Sequence, residues 1–440
     1  AFLPVKTAMA PESPGADGPD NSQRIGNTLW VHETPVFHEA KRLKLAASLA
    51  IGQNGDIYYA ATGEDSQGGG TRLFALKSED GSLRWKTEEL DNPRGIASQI
   101  VVGKGGRIYV IGWSTVYAFS PKDGTTLWSW TPKIKKGLGH LTLTGRGDVM
   151  FGHTASGAYH RHTFCVDGRT GRTKWSKEIW NVSNISVGCD NTAYFVSRSS
   201  WLQARDASTG GRKWQLKVAG FRPEYGNNNI VIRDDGNLFC DFKASGDQVY
   251  RYHLVDGING QILWSSREKS QTLVELIGPD DSIYGYKNTL FRIDPKTGVQ
   301  TGIRKGLVRP GAITQNKQIV CTFWEGRRGH VPSLVGLRPD GSFDYEVEVK
   351  GLTHWGMAIS SSGVVYAIIN EHPASYVPTK IIAIQGASPI AASGWPAIYH
   401  GNRNTSNNDR GVSEALPLEN IGSGDTRADP SSSVPMSSER

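Results

Sequence analysis

A Gly followed four residues later by a Trp recurs along this chain, at Gly26/Trp30, Gly81/Trp85, Gly124/Trp128, Gly171/Trp175, Gly210/Trp214 and Gly260/Trp264. Two further copies keep the Gly and lose the Trp: Gly298 has Gly302 in the Trp slot, and Gly341 has Tyr345 there. From Gly26 to Gly341 is 315 residues over seven intervals, a mean of 45. That period lies in the range of four-stranded propeller blades and not of most helical repeats.

The residues between the glycines agree with the period. Short apolar runs precede each one, such as Leu73-Phe74-Ala75-Leu76, Val116-Tyr117-Ala118-Phe119 and Ile381-Ile382-Ala383-Ile384. Upstream of those lies a second set, for example Gly55-Asp56-Ile57-Tyr58-Tyr59, Gly106-Arg107-Ile108-Tyr109-Val110 and Gly363-Val364-Val365-Tyr366-Ala367. Runs this short, rich in β-branched and aromatic residues and punctuated by Gly, Asp and Asn, are strands joined by tight turns. Each repeat then holds strands a, b, c and d, with the Gly-ended turn between c and d and the Trp on d. Gly suits a turn position of positive φ, and Trp supplies an apolar plate between neighbouring sheets.

Counting strands predicts the closure. The first copy, Gly26 to Trp30, has no a, b or c strand before it, while 355–360, 363–369 and 379–385 supply a, b and c with no Gly-x-x-x-Trp after them. The expected fold is therefore an all-β, eight-bladed propeller over residues 26–385, in which a strand near 27–33 completes the last blade. Such an exchange hides sheet edges. Residues 1–25 read as an N-terminal extension without an apolar signal core, 386–410 as a Trp-Pro-led segment, and 411–440 as a disordered polar tail.

Composition removes several function classes. No run approaches the roughly 18 apolar residues of a membrane helix. The four cysteines, Cys165, Cys189, Cys240 and Cys321, show no CxxC, CxxCH or adjacent pair, which sets aside zinc ribbons, c-type haem and a disulfide scaffold. Phosphate-cradling loops, the Gly-x-Ser-x-Gly elbow and His-Glu-x-x-His are all missing. Lys and Arg total 49 against 42 Asp and Glu, a net charge of +7, but the cations are dispersed, so nucleic acid is not the expected partner.

Asp206-Ala-Ser-Thr-Gly210-Gly-Arg-Lys-Trp214 and Asp256-Gly-Ile-Asn-Gly260-Gln-Ile-Leu-Trp264 carry a resemblance to the PQQ-like β-propeller repeat family. It covers about residues 26–385. Gly394-Trp395-Pro396-Ala397-Ile398-Tyr399-His400-Gly401-Asn402 is similar to a segment flanking many secreted bacterial members. The resemblance implies the propeller fold and a choice among quinoprotein dehydrogenases, scaffolds of the BamB type and exported proteins of other roles. The dehydrogenases it brings in carry vicinal cysteines and often a CxxCH haem domain, both missing from this sequence, so neither PQQ nor calcium is expected as a cofactor.

In a propeller the strands are structural and function gathers on the loops of one face. The short, alike c–d turns mark one face as scaffold, which leaves the b–c and d–a connections. There Arg, Lys and His alternate with Trp and Tyr, a mixture suited to carboxylates and pyranose faces. The candidate ligand-binding residues are Trp113, His140, His153, Trp180, Arg222, Tyr225, Trp324, Arg327, His330, His354 and Trp355. Trp324 to His330 is the densest, with an aromatic, a carboxylate, two Arg and a His in seven residues. Three histidines, His153, His160 and His162, lie close in sequence but have no matching carboxylate, so no metal site is assigned.

The expected function is an exported (secreted or periplasmic) binding or scaffolding propeller, acting as a monomer without catalysis on a partner protein or acidic glycan. The alternative is a polyuronate lyase working by β-elimination. In it Arg327 neutralises the uronate carboxylate, and His330, His354 or Tyr376 takes the α-proton. A PQQ-dependent oxidoreductase ranks third.

Overall fold

The computed structural model describes residues 25–34, 49–62, 71–90, 100–112, 114–133, 137–153, 162–179, 185–197, 200–221, 230–270, 273–286, 288–324, 332–349, 352–369 and 380–392. Every regular element among them is a β-strand. They form eight separate antiparallel sheets. Blade 3 is typical: strands a to d are Leu138–Leu143, Val149–His153, His162–Val166 and Thr173–Glu178, paired in sequence order. Strand a is the inner one, since the a strands of successive blades touch from blade 1 through blade 8. Blade 5 differs. Its inner strand is in two pieces, Gly220–Phe221 and Val231–Ile232, both paired to Leu238–Lys243.

Strand composition follows position. Strands b and c are buried on both faces and read as apolar runs, as in Thr192–Ser197 and Lys380–Gln385. Outer strands alternate: Arg212–Lys217 buries Trp214 and exposes Lys213 and Lys217.

The repeat Gly and Trp meet between blades. All eight repeat glycines have positive φ, from +70° to +89°. A Cβ on Gly260 would lie 2.5 Å from the Trp214 ring of the preceding blade, and Gly81, Gly124, Gly171 and Gly210 face Trp30, Trp85, Trp128 and Trp175 in the same way. Each of those five indoles also donates its Nε1–H into the same turn, Trp214 to the Gly257 carbonyl at 2.9 Å and Trp30 to Ser78 at 2.8 Å. The Gly is thus required twice, by backbone conformation and by the indole seated on it. Where Gly302 replaces the Trp, the Ile303 carbonyl approaches Gly341 instead. The Arg304 guanidinium lies 5.0 and 4.0 Å over the Phe323 and Phe343 rings of the next blade, a cation–π contact across that junction.

Closure is as expected. Thr28–Glu33 pairs with Lys380–Gln385, completing a blade with Leu352–Ile359 and Val364–Ile369. The missing covalent turn is imitated across the gap: Gly26 N donates to Gln385 O at 2.7 Å, and Gln385 N to Asn27 O at 2.8 Å. Ordinary c–d turns make the same pair of bonds, Gly171 to Asp167 and Asp167 to Arg172, both at 2.8 Å. One apolar cluster then joins the last blade to the first, with Trp30, Tyr366 and Ile381 against Leu49, Tyr59 and Phe74. Past the last strand, Gln315 donates to Pro389 O and Ala391 to Ile313 O, each at 2.9 Å, so residues 389–391 stay packed on blade 7.

Candidate binding face

The strand order divides the loops between two ends of the ring. All a–b and c–d turns lie at one end, all b–c and d–a connections at the other. Every a–b turn, and every c–d turn within a blade, is described, and several of their carboxylates bond within their own turns. Asp294 is representative: its carboxylate accepts from Lys296 N at 2.9 Å, Thr297 N at 2.7 Å and Thr297 Oγ1 at 2.8 Å. The Thr297 hydroxyl and amide hold that carboxyl below its usual range. These Asp residues cap turns, and a cation is not needed to explain them. Buried Asp56 and Asp148 are likewise committed, to Arg84 at 2.8 Å and Lys174 at 2.7 Å.

The b–c and d–a connections make up the opposite, loop-bearing end. Trp113, Trp180, Arg222, Tyr225, Arg327 and His330, with His160 and Tyr376, lie outside the described residues. The other candidates are placed by their backbones. His153 ends strand b of blade 3, opposite Leu138, and His140 is on the neighbouring inner strand, so the fold brings these two to one edge of one blade. Trp324 ends strand b of blade 7, opposite Leu307, while His354 and Trp355 are on the inner strand of blade 8 next to it.

One sequence expectation needs correction. His140, His354 and Trp355, expected on the connections, belong to inner strands. The cause is irregular pairing. Register shifts between Gly139 and Thr142 and between Leu352 and Met357 put His140, His354 and Trp355 at bulges, which break the alternation used to recognise a strand. The inner strand of blade 5 is split. Its two pieces, Gly220–Phe221 and Val231–Ile232, flank Arg222 and Tyr225 in sequence, and those two residues lie outside the described residues.

Two features of this end were not singled out from sequence. At the ends of blade 4 strands, Lys217 Nζ sits 5.1 Å over the Trp201 ring. In blade 5, Lys243 Nζ sits 4.9 Å over Tyr250. Both pairs put a cation on an aromatic face at the rim. The signal was available by counting outward from Gly210, since Trp201 and Lys217 are cross-strand partners flanking that turn.

His253 is the most perturbed histidine and belongs to the scaffold. Its Nε2 donates to Phe242 O at 3.1 Å and its Nδ1 accepts from Ser265 Oγ at 2.7 Å, with the ring stacked on Phe242. Burial lowers its pKa to about 4, so the ring is neutral.

No trio of His, Cys, Asp or Glu is grouped to hold a metal among the described residues. Cys165, Cys240 and Cys321 are buried in three different blades, and Cys189 is in a turn of the opposite end. The described residues thus hold neither adjacent cysteines nor a metal-binding trio. No helix among them is long and apolar enough to cross a membrane.

A family model described as outer membrane protein assembly factor BamB matches residues 90–301. A quinohemoprotein alcohol dehydrogenase of Comamonas testosteroni is 24% identical over 163 residues, which is 33% of this chain and 23% of that enzyme. The chain thus spans about a quarter of that relative's length. Among solved structures, BamB from Moraxella catarrhalis superposes with a TM-score of 0.54 at 14% identity, covering 82% of this chain and 99% of that one. The WD40 domain of Sif2 does so with a TM-score of 0.54 at 9% identity, covering 78% and 99%. At such identities these likenesses describe the fold.

Proposed function

We propose that the chain is a PQQ-like β-propeller repeat protein, similar over residues 90–301 to the BamB family model, and that it is an exported binding or scaffolding protein working through its loop-bearing face. One observation carries the reading. The glycines and indoles of the turn end are spent on holding neighbouring blades together, while the b–c and d–a connections carry no such repeated contact and vary in length and content. A protein partner is favoured by the match to an assembly factor of the outer membrane, which also supports an exported location. An acidic glycan is the second reading, supported by the Lys217–Trp201 and Lys243–Tyr250 pairs, whose ammonium and ring faces suit uronate carboxylates and pyranose rings.

The test is the full chain against its Trp324→Ala/Arg327→Ala variant, titrated with polygalacturonate and alginate and used for affinity capture from envelope extracts. The reading expects binding to fall at least tenfold in one assay, with the melting curve unchanged. Equal binding by both proteins in every assay overturns it. A rise in ultraviolet absorbance from unsaturated uronates would instead establish the β-elimination alternative through Arg327 with His330, His354 or Tyr376.

A further inference from the structure

The turn end of the ring is electrically divided. In blades 2 and 3, four turns adjoin: the site of a Cβ on Gly106 is 3.2 Å from Pro121, that on Gly103 is 3.4 Å from Leu143, and that on Gly168 meets Gly147 O. They carry Lys104, Arg107, Lys122, Arg146, Arg169 and Arg172. Only three carboxylates, Asp123, Asp148 and Asp167, stand among these six cations. Asp148 is bridged to Lys174, while Asp123 and Asp167 cap their own turns through Thr125 and Thr170. Lys122, Arg146, Arg169 and Arg172 are exposed, and none is in an ion pair among the described residues.

Three blades further round, the same end is acidic. The turns of blades 5 and 6 carry Asp234, Asp235, Asp256, Asp280, Asp281 and Asp294 against Arg233 and Lys296. Arg233 spans Asp235 and Asp281 at 3.5 and 3.4 Å, and Lys317 of blade 7 reaches Asp280 at 3.2 Å, which leaves the acidic group in excess. Blade 4, between the two groups, carries both signs, with Lys213 paired to Asp190 at 3.3 Å and Asp206 and Arg212 in its c–d turn. Blade 8, opposite blade 4, has the uncharged turns Ser360-Ser361-Ser362-Gly363 and Gln385-Gly386-Ala387-Ser388.

We propose that this end is a self-complementary interface on which a second copy of the chain docks, turned about a two-fold axis running through blades 4 and 8. That rotation exchanges blades 2 and 3 with blades 5 and 6. Each basic corner of one copy then meets the acidic corner of the other, in an isologous contact. A flat anionic surface fits less well, because the corner that blades 2 and 3 attract to it is opposed by the one in blades 5 and 6. Exposed ion pairs are individually weak, so the dimer is salt-sensitive and concentration-dependent. Both loop-bearing faces point outward and stay free. The inference revises the monomer expected from sequence and does not rest on the proposed function.

The experiment is light scattering of the full chain at about 0.01 M and about 1 M salt, where screening lengths are about 30 and about 3 Å. Two double variants accompany it, Arg146→Glu/Arg169→Glu and Asp234→Lys/Asp235→Lys, each checked for an unchanged melting curve. The proposal expects a dimer that dissociates at high salt, both variants monomeric alone, and an equimolar mixture of them dimeric. If a variant fails to fold, Lys122→Glu/Arg172→Glu replaces the basic one and Asp234→Lys the acidic one. A chain monomeric at low salt overturns the proposal, including one whose basic corner binds heparin. So does a dimer indifferent to the reversals, or a mixture that stays monomeric.

Discussion

Trp214 shows how one repeat position couples two blades. Its ring covers Gly260 and its N–H meets the Gly257 carbonyl at 2.9 Å, so Trp214→Ala removes a buried plate and one of that carbonyl's two donors, leaving the Tyr194 hydroxyl at 3.0 Å. The expected loss is about 3–5 kcal/mol by denaturant titration, the range for removing a buried large aromatic. Gly260→Ala is expected to destabilise as well, since its Cβ would intrude on the same ring at a φ of +78°. His253 makes a different prediction. Its folded pKa is depressed to about 4 from an ordinary value near 6.5, so the unfolded chain binds the proton more readily. Stability is therefore retained above about pH 6.5 and falls as pH drops through about 4, by about 3 kcal/mol at most. Comparing the pH dependence of Tm for wild type and His253→Asn checks this: the two curves should converge below about pH 5.

Among elements, the closing strand matters most. Thr28–Glu33 supplies the outer strand of blade 8, the indole that covers Gly81, and the Lys380–Glu33 contact at 3.3 Å. Removing residues 1–34 uncovers the edge of Lys380–Gln385, a row of unpaired backbone groups. Loss of cooperative melting and aggregation are expected, and a truncated chain that melts like wild type would contradict the closure described here. The junction between blades 6 and 7 replaces the Trp–Gly clamp by Arg304 over Phe323 and Phe343. Arg304→Ala is expected to cost about 1 kcal/mol, the scale of a partly exposed cation–π contact.

For the whole molecule, the two ends of the ring divide the labour. The turn end is repetitive because every blade must meet the next in the same way, while the connections of the other end escape that constraint and vary. Counting strands was enough to read the ring because the Gly–Trp spacing is itself a tertiary contact repeated in sequence. The candidate site was less legible. His140 and Trp355 sit at bulges that no periodicity announces, and the split of blade 5's inner strand shows only in its pairing.

The sequence by itself determined the repeat, the number of blades and the strand borrowed from the beginning of the chain, because each rests on local turn chemistry and apolar spacing. Only the tertiary structure decided which charges share a face. Lys122 and Arg146 are distant from Asp234 and Asp281 along the chain, and their placement at one end of the ring follows from wrapping eight equivalent sheets around a common axis, which no short-range pattern encodes.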